Sequence, residues 1–476
     1  MTRAKYNKTK IVATLGPATN NYAMLKRMVQ AGVDVCRINF SHGTHEEHLK
    51  TFELVRKIDQ ELNTNICVLG DLQGPKLRIG EIEKGTILET GQHLLVTTKK
   101  CIGNAEKVYV NYKKLPADIN VGEKILIDDG KIALEVLSVP GKDLINTIVL
   151  NGGKLSSRKG FNLPNTNVSL PCLTPKDKLD LQFALENGVD WVGLSFVRSA
   201  DDVKSLKRII ARHNPETLVI AKIEKPQAVE NLDEIIAVAD GLMVARGDLG
   251  VEMPMERVPI IQKTIVDKCI KASKPVIIAT QMMESMIDSP TPTRAEASDV
   301  ANAVMDGADA VMLSAETSVG QFPLETIEAV ERIVDTTEQG WNIYYKGLRP
   351  DENSPSFLSD EICFTAVRMS DHINAKAIIT LTQSGYTAFK IASYRPNCDI
   401  FIFTSNRKIF RILSLVWNVR VFYYNKMEST DRTMKDVVKF LKGKKFLSKG
   451  DLVVHTASMP IHEKRRTNAL KIGKVE

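Results

Sequence analysis

The 476-residue chain has no Cys-x-x-Cys pair, and its seven cysteines are an odd number. That argues against a disulfide framework and fits a reducing, cytoplasmic setting. No low-complexity tract is present, and no apolar run approaches the length that spans a bilayer, so no membrane partner is expected. The opening MTRAKYNKTK is basic, but the IVATLGP after it is too short and too soon broken for a secretory signal. Neither sign of charge dominates. The formal net charge is +7, with bases scattered among acids, which favours small anionic ligands over a nucleic-acid tract.

What is present is an alternation. A chain this long is expected to hold two to four domains. Residues 10–75 read as three short apolar strands separated by amphipathic helices. From about Leu77 to Phe161 the helical period vanishes, and short alternating segments such as HLLVTT, EKILIDD and KIALEVLSV take over, separated by glycines. The strand–helix rhythm resumes near Pro171 and adds five more strands, ending in ADAVMLSAE and its helix. Eight strand–helix pairs predict an α/β fold, a (β/α)8 TIM barrel interrupted by a small β-barrel lid. After the polar linker LRPDENSPS, four further apolar strands alternate with helices and predict a C-terminal three-layer α/β domain. The expected divisions are 1–75 and 163–345 for the barrel, 76–162 for the lid and 346–476 for the C-terminal domain. Beyond the strand–helix alternation, no repeat is read.

The most informative stretch is 217–250. Two apolar strands, Thr217–Ile223 and Asp240–Ala245, each end in charge: Lys222 and Glu224 on the first, Arg246, Gly247 and Asp248 after the second. Alternation puts Lys222 and Glu224 on one face. Parallel strands joined by a helix bring their C-terminal ends to one edge, so Glu224 and Asp248 can meet beside one ammonium. Two carboxylates with substrate oxygens and water suit Mg2+, with the lysine as a fixed cation rather than a base. The other strand ends carry Arg37, Asn39, Ser41, Asp71, Thr280, Gln281, Ser314 and Glu316. Barrel active sites are built at that rim from several strands at once, and a structural barrel has no need to load it this way.

TLGPAT, RINFSHG, GPK-x-R, KGFNLP, LSFVR, KIE, MVARGDLG, ATQMMESM, PTRAEASDVANAV and DGADAVMLSAET together cover nearly the whole chain. This set resembles the pyruvate kinases. The resemblance implies phosphoryl transfer from phosphoenolpyruvate to ADP, giving pyruvate and ATP, in a homotetramer. It implies that Glu224 and Asp248 hold Mg2+ or Mn2+ and that the backbone at Gly247–Asp248 approaches the substrate carboxylate. Lys222 and Arg37 are expected on the moving phosphoryl group, and Thr280 near the enolate carbon in proton delivery. Asn39, Phe40, Ser41, His42, Arg78 and Lys159 are expected at the nucleotide. A loop of the C-terminal domain, with Thr382, Ser384, Gly385 and Thr387, resembles a sugar-phosphate effector pocket. The basic run Lys464–Arg466 is expected to join that effector or to meet a neighbouring subunit.

One departure stands out. Potassium-requiring members usually carry Asp-Thr-Lys-Gly-Pro-Glu after the third strand, whereas this chain reads Asp71-Leu72-Gln73-Gly74-Pro75-Lys76. The resemblance places K+ near Asn39, Ser41 and Asp71. The ammonium of Lys76 can stand in for that ion, so no K+ requirement is expected. His42, His45 and His48 are read as a polar helix start rather than a metal cluster, and Cys36 as a small buried hydrophobe. The rival activity is a Mg2+-dependent barrel lyase or aldolase acting on an oxo-acid enolate; it has no use for Arg78, Lys159 or the lid. A catalytically dead regulatory or RNA-binding paralogue would be expected to have lost Lys222, Glu224 or Asp248.

Overall fold

The computed structural model describes residues 6–213, 215–341, 344, 347–426, 429–460 and 466–476. Eight parallel strands close a barrel: Lys10–Thr14, Val35–Asn39, Cys67–Asp71, Trp191–Leu194, Leu218–Ile223, Gly241–Ala245, Val276–Ala279 and Ala310–Leu313. Each runs beside its sequence neighbour, and the first pairs with the last. The strands are mostly apolar and almost wholly buried because helices cover them outside and side chains fill them inside. Capping residues set where several helices begin. Thr44 with Glu47, Thr174 with Asp177 and Thr293 with Glu296 each form a reciprocal capping box. Between the fifth and sixth strands the expected single helix is two short ones, Pro226–Glu230 and Leu232–Val238.

A fourfold repeat emerges that the sequence reading does not find. The second, fourth, sixth and eighth strands are each preceded by an aspartate: Asp34, Asp190, Asp240 and Asp309. Each carboxylate accepts the N–H of a residue in the strand before it: Ile11 at 3.0 Å, Val68 at 2.8 Å, Val219 at 2.9 Å and Val276 at 3.1 Å. These bonds satisfy backbone donors where each odd strand enters the barrel.

The lid leaves the barrel after the third strand. Gly74 holds φ +69, and a Cβ there would come within 2.7 Å of the Phe196 ring, so the turn requires glycine. The lid is a six-stranded sheet curled into a half-barrel, with Phe161–Asn162 at one edge and Lys107–Tyr109 at the other. Single bridges from Arg78 to Gly160 and from Ile79 to Val110 draw the two edges towards each other. The sheet curls around its own core, which includes Val96, Val108, Ile125, Leu134 and Val149. Arg198 of the barrel grips the return segment through the carbonyls of Val168 and Leu170.

The C-terminal domain is a five-stranded sheet, four strands parallel and the last, Ala469–Lys474, antiparallel. It docks on the end of the barrel opposite the polar rim. There Asp190 takes Arg411 at 3.0 Å and Asp309 takes Arg395 at 3.2 Å, while Trp191 donates to the Ile412 carbonyl. Among the described residues no helix is long and apolar enough to cross a membrane.

Candidate active site

Parallel register explains why the polar strand ends converge. Leu194 pairs with Ala221 and Gly193 with Asp71, so the next residues on, Ser195 and Lys222, lie side by side above Asp71. Gly193 makes the room: a Cβ there would stand 3.1 Å from Asp71 Oδ1. Lys222 Nζ reaches Ser195 Oγ at 2.6 Å, Glu224 Oε1 at 2.9 Å and Asp71 Oδ1 at 3.2 Å. The Ser195 hydroxyl passes its own hydrogen to the Leu72 carbonyl, leaving lone pairs for the ammonium. Arg37 lays Nε and a terminal nitrogen on Asp71 Oδ2 at 2.7 and 2.6 Å, and its other terminal nitrogen donates to Thr14 Oγ1.

The electrostatics separate fixed cations from available anions. Burial alone would pull the Lys222 pKa down, but the carboxylates of Asp71 and Glu224 outweigh it and raise it, so Lys222 stays an ammonium. Asp71 is also buried, yet Lys222 and Arg37 hold its pKa below the usual carboxylate range. Glu224 and Asp248 behave the other way. Burial lifts both, and each carboxylate raises or is raised by a neighbouring one despite Lys222. Two carboxylates short of positive charge are the donor set a hard divalent cation takes.

The two are presented differently. Glu224 is buried, with Oε2 accepting from the Phe196 N–H at 2.9 Å; Phe196 holds φ +57 to aim that bond. Asp248 sits in the first turn of a short helix, Arg246–Glu252, rather than on a strand end, and its carboxylate makes no hydrogen bond or ion pair within the described structure. It faces a cavity of about 940 Å³ lined also by Lys76, Asp129, Asn162, Lys225, Gly247 and Thr280. Thr280 and Gln281 take positive φ, +69 and +54, the first costly for a β-branched residue. The strain places the Thr280 hydroxyl 2.7 Å from the Gly247 N–H, and Thr280 Oγ1 donates to the Ala279 carbonyl. Arg246 braces this turn through Asp299 at 2.7 Å and the Thr280 carbonyl at 2.8 Å.

Other expected residues are dispersed. Asn39, Phe40, Ser41, His42, Arg78 and Lys159 do not line the cavity that Asp248 faces. Burial and then the charges of Lys76, Arg78 and Arg37 depress His42, so these groups form one positive neighbourhood. Asn39 Oδ1 accepts from the Ser41 N–H, and Lys159 pairs with Asp128 on the lid at 2.9 Å. Asp71 is spent on Arg37 and Lys222, and the Lys76 ammonium makes no hydrogen bond within the described structure. Glu316, read at the rim, instead accepts the N–H groups of Ser314 and Met283. His45 pairs with Asp180 and stacks on Phe183, and among the described residues no trio of His, Cys, Asp or Glu could hold a metal. Burial pushes the Cys36 thiol up to about 12.

Sequence reading missed Ser195, Phe196 and Asp129. Only the strand register signals Ser195, and the Asp128-Asp129-Gly130 turn, all at positive φ, is the signal for Asp129. In the C-terminal domain, Thr382 Oγ1 accepts the Gly385 N–H, Ser384 Oγ lies 3.4 Å from the Tyr386 N–H, and the Thr387 hydroxyl meets that of Thr467. Lys464 and Arg465 lie outside the described residues, and Arg466 donates to the Pro355 carbonyl at 2.6 Å.

Comparison with known proteins adds an independent line. A family model described as pyruvate kinase, barrel domain, matches residues 6–327, and one described as pyruvate kinase, alpha/beta domain, matches 360–473. The chain is 42% identical over 477 residues to a pyruvate kinase of Sporosarcina psychrophila, covering 98% of this chain and 80% of that one. It is 42% identical over 467 residues to one from Mycobacterium tuberculosis, covering 98% of both. A crystal structure of a pyruvate kinase from Cryptosporidium parvum superposes with a TM-score of 0.93 at 35% identity, covering 99% of this chain and 96% of the other.

Proposed function

The chain belongs to the pyruvate kinase family, and from that membership we propose that it passes the phosphoryl group of phosphoenolpyruvate to ADP around the Lys222 cluster, giving pyruvate and ATP, the closing step of glycolysis. The observation that carries the assignment of roles is the contrast between Lys222, kept charged by two carboxylates, and Asp248, which faces the cavity with no hydrogen bond or ion pair among the described residues.

In phosphoryl transfer a protein chiefly positions groups and neutralises charge. Arg37, held rigid by Asp71 and Thr14, faces the phosphoryl group. Lys222 offsets the charge that grows on the enol oxygen as the P–O bond breaks. Thr280, fixed between Gly247 and the Ala279 carbonyl, relays a proton to the enolate carbon; a hydroxyl at neutral pH does not supply one. Glu224 and Asp248 hold the divalent metal, Mg2+ or Mn2+, which supplies Lewis-acid charge neutralisation when bound. Asn39, Phe40, Ser41, His42, Arg78 and Lys159 serve the nucleotide, and the lid, 76–162 in this reading, closes to keep water from the enolate. Replacing Glu224 with Gln is expected to weaken the Mg2+ dependence and the rate together, read by a Mg2+ titration of initial rates. An unchanged titration removes Glu224 from the metal site.

Potassium is not required in this reading. The ammonium of Lys76 makes no hydrogen bond among the described residues, and its pKa is lowered first by burial and then by Arg78, which marks a site already crowded with positive charge. A fixed ammonium repels K+ and needs no ion to be captured. Leu72→Thr combined with Lys76→Glu is expected to create K+ activation where the unmodified protein has none. A double variant as indifferent to K+ as the parent would contradict this role for Lys76.

A phosphorylated effector at Thr382, Ser384, Gly385 and Thr387 and a homotetrameric assembly complete the reading. Leu358, 80% exposed, and Met255, 76% exposed, are apolar residues whose exposure supports contact with further copies.

A further inference from the structure

Asn162, Glu252 and Lys225 form a cluster that the reaction as described leaves unused. Asn162 belongs to the lid sheet, paired with Leu126 of the neighbouring strand. Its Nδ2 donates to Glu252 Oε1 at 2.8 Å, and Lys225 Nζ donates to the same oxygen at 2.5 Å. Glu252 is 5% exposed, and its second oxygen, Oε2, is buried with no hydrogen-bond partner among the described residues. Leaving a buried carboxylate oxygen unsatisfied costs stability, so stability alone does not account for a glutamate here.

The location supplies the missing reason. Lys225 directly follows Glu224. Glu252 closes the helix Arg246–Glu252 four residues after Asp248, so the two carboxylates stand on the same helix face. One oxygen therefore joins the lid, the strand end that bears Glu224 and the helical turn that bears Asp248. We propose that Glu252 is a positioning residue: it seats the lid, through Asn162, on the turn that holds Asp248, so lid closure and metal-ligand geometry are set together. The proposal rests on the reading of Glu224 and Asp248 as metal ligands. Hydrogen-bonded partners behind a metal's ligands fix how those ligands point, and their loss typically costs tenfold or more.

The test uses the full chain and Mn2+ as the probe. Asn162→Ala removes the lid arm and leaves the Lys225–Glu252 pair in place. It is expected to weaken Mn2+ binding to the substrate-free protein and to lower kcat, each by about tenfold, with KM for phosphoenolpyruvate nearly unchanged. Backbone hydrogen exchange at Phe161–Asn162 should speed up while Tm stays at the parent value. Asn162→Asp sets two carboxylates together and should be worse. Parental Mn2+ affinity and kcat in Asn162→Ala would overturn the proposal. If Glu224→Gln weakens Mn2+ binding and Asn162→Ala does not, the positioning role falls alone. If neither weakens it, the metal reading falls with it.

Discussion

Lys222→Met should lower turnover by about a thousandfold while KM for phosphoenolpyruvate stays within a few-fold, because its charge matters most where charge develops. The side chain that replaces it has similar bulk, so its neighbours keep their packing. What disappears is the one ammonium shared by Asp71, Glu224 and Ser195. Asp71 keeps Arg37, so the guanidinium proposed to face the phosphoryl group remains in place and substrate capture is expected to survive. Glu224 loses its nearest cation and its pKa rises further, which strengthens competition between protons and metal for that site as pH falls. Initial-rate kinetics decide the matter; near-parental turnover would remove Lys222 from the chemistry.

At the opposite end of the barrel, Asp309→Ala should be the most destabilising single change. Asp309 accepts the N–H groups of Val276 and Trp417, both at 3.1 Å, and pairs with Arg395, which is 1% exposed. Truncation leaves that guanidinium buried against the Ala392 and Gly307 carbonyls and the Trp417 ring with no carboxylate, and orphans two backbone donors. Breaking a buried pair from one side costs about 3–5 kcal/mol, a fall in Tm on the order of 10 °C. Because the Lys222 cluster lies at the other rim, kcat at low temperature should hold. Thermal denaturation followed by activity measurements at 10–15 °C below the variant's own transition checks both halves.

The rim was legible because a parallel barrel allows little choice. Once the strands are found, their C-terminal ends must face one cleft, and Arg37, Asp71, Lys222 and Glu224 need only a period of two to be placed. Asp248 was legible as a residue but not as a helix position; the sequence does not distinguish a strand end from the first turn after it. Ser195 was hidden because its role depends on register with Lys222, a relation between chains of residues far apart in sequence. The positive φ of Phe196 and Thr280 was hidden for a different reason. Neither residue type favours that conformation, so propensity points away from it, and only the surrounding structure enforces it. The repeated aspartates at 34, 190, 240 and 309 show the converse. Three of them follow a glycine and a small apolar residue, a pattern visible in the sequence but mute until the bonds to the preceding strands give it a purpose.

In the proposed reading Lys76 ties sequence to function most tightly, since its ammonium takes the place of a K+ ion beside the cleft. The decisive measurement is the initial rate of pyruvate formation by the unmodified protein with phosphoenolpyruvate, in a buffer whose only monovalent cation is a large organic ammonium. The account predicts a full rate that requires both ADP and Mg2+ and does not change when K+ is added. Pyruvate release without ADP, or strong activation by K+, would contradict it.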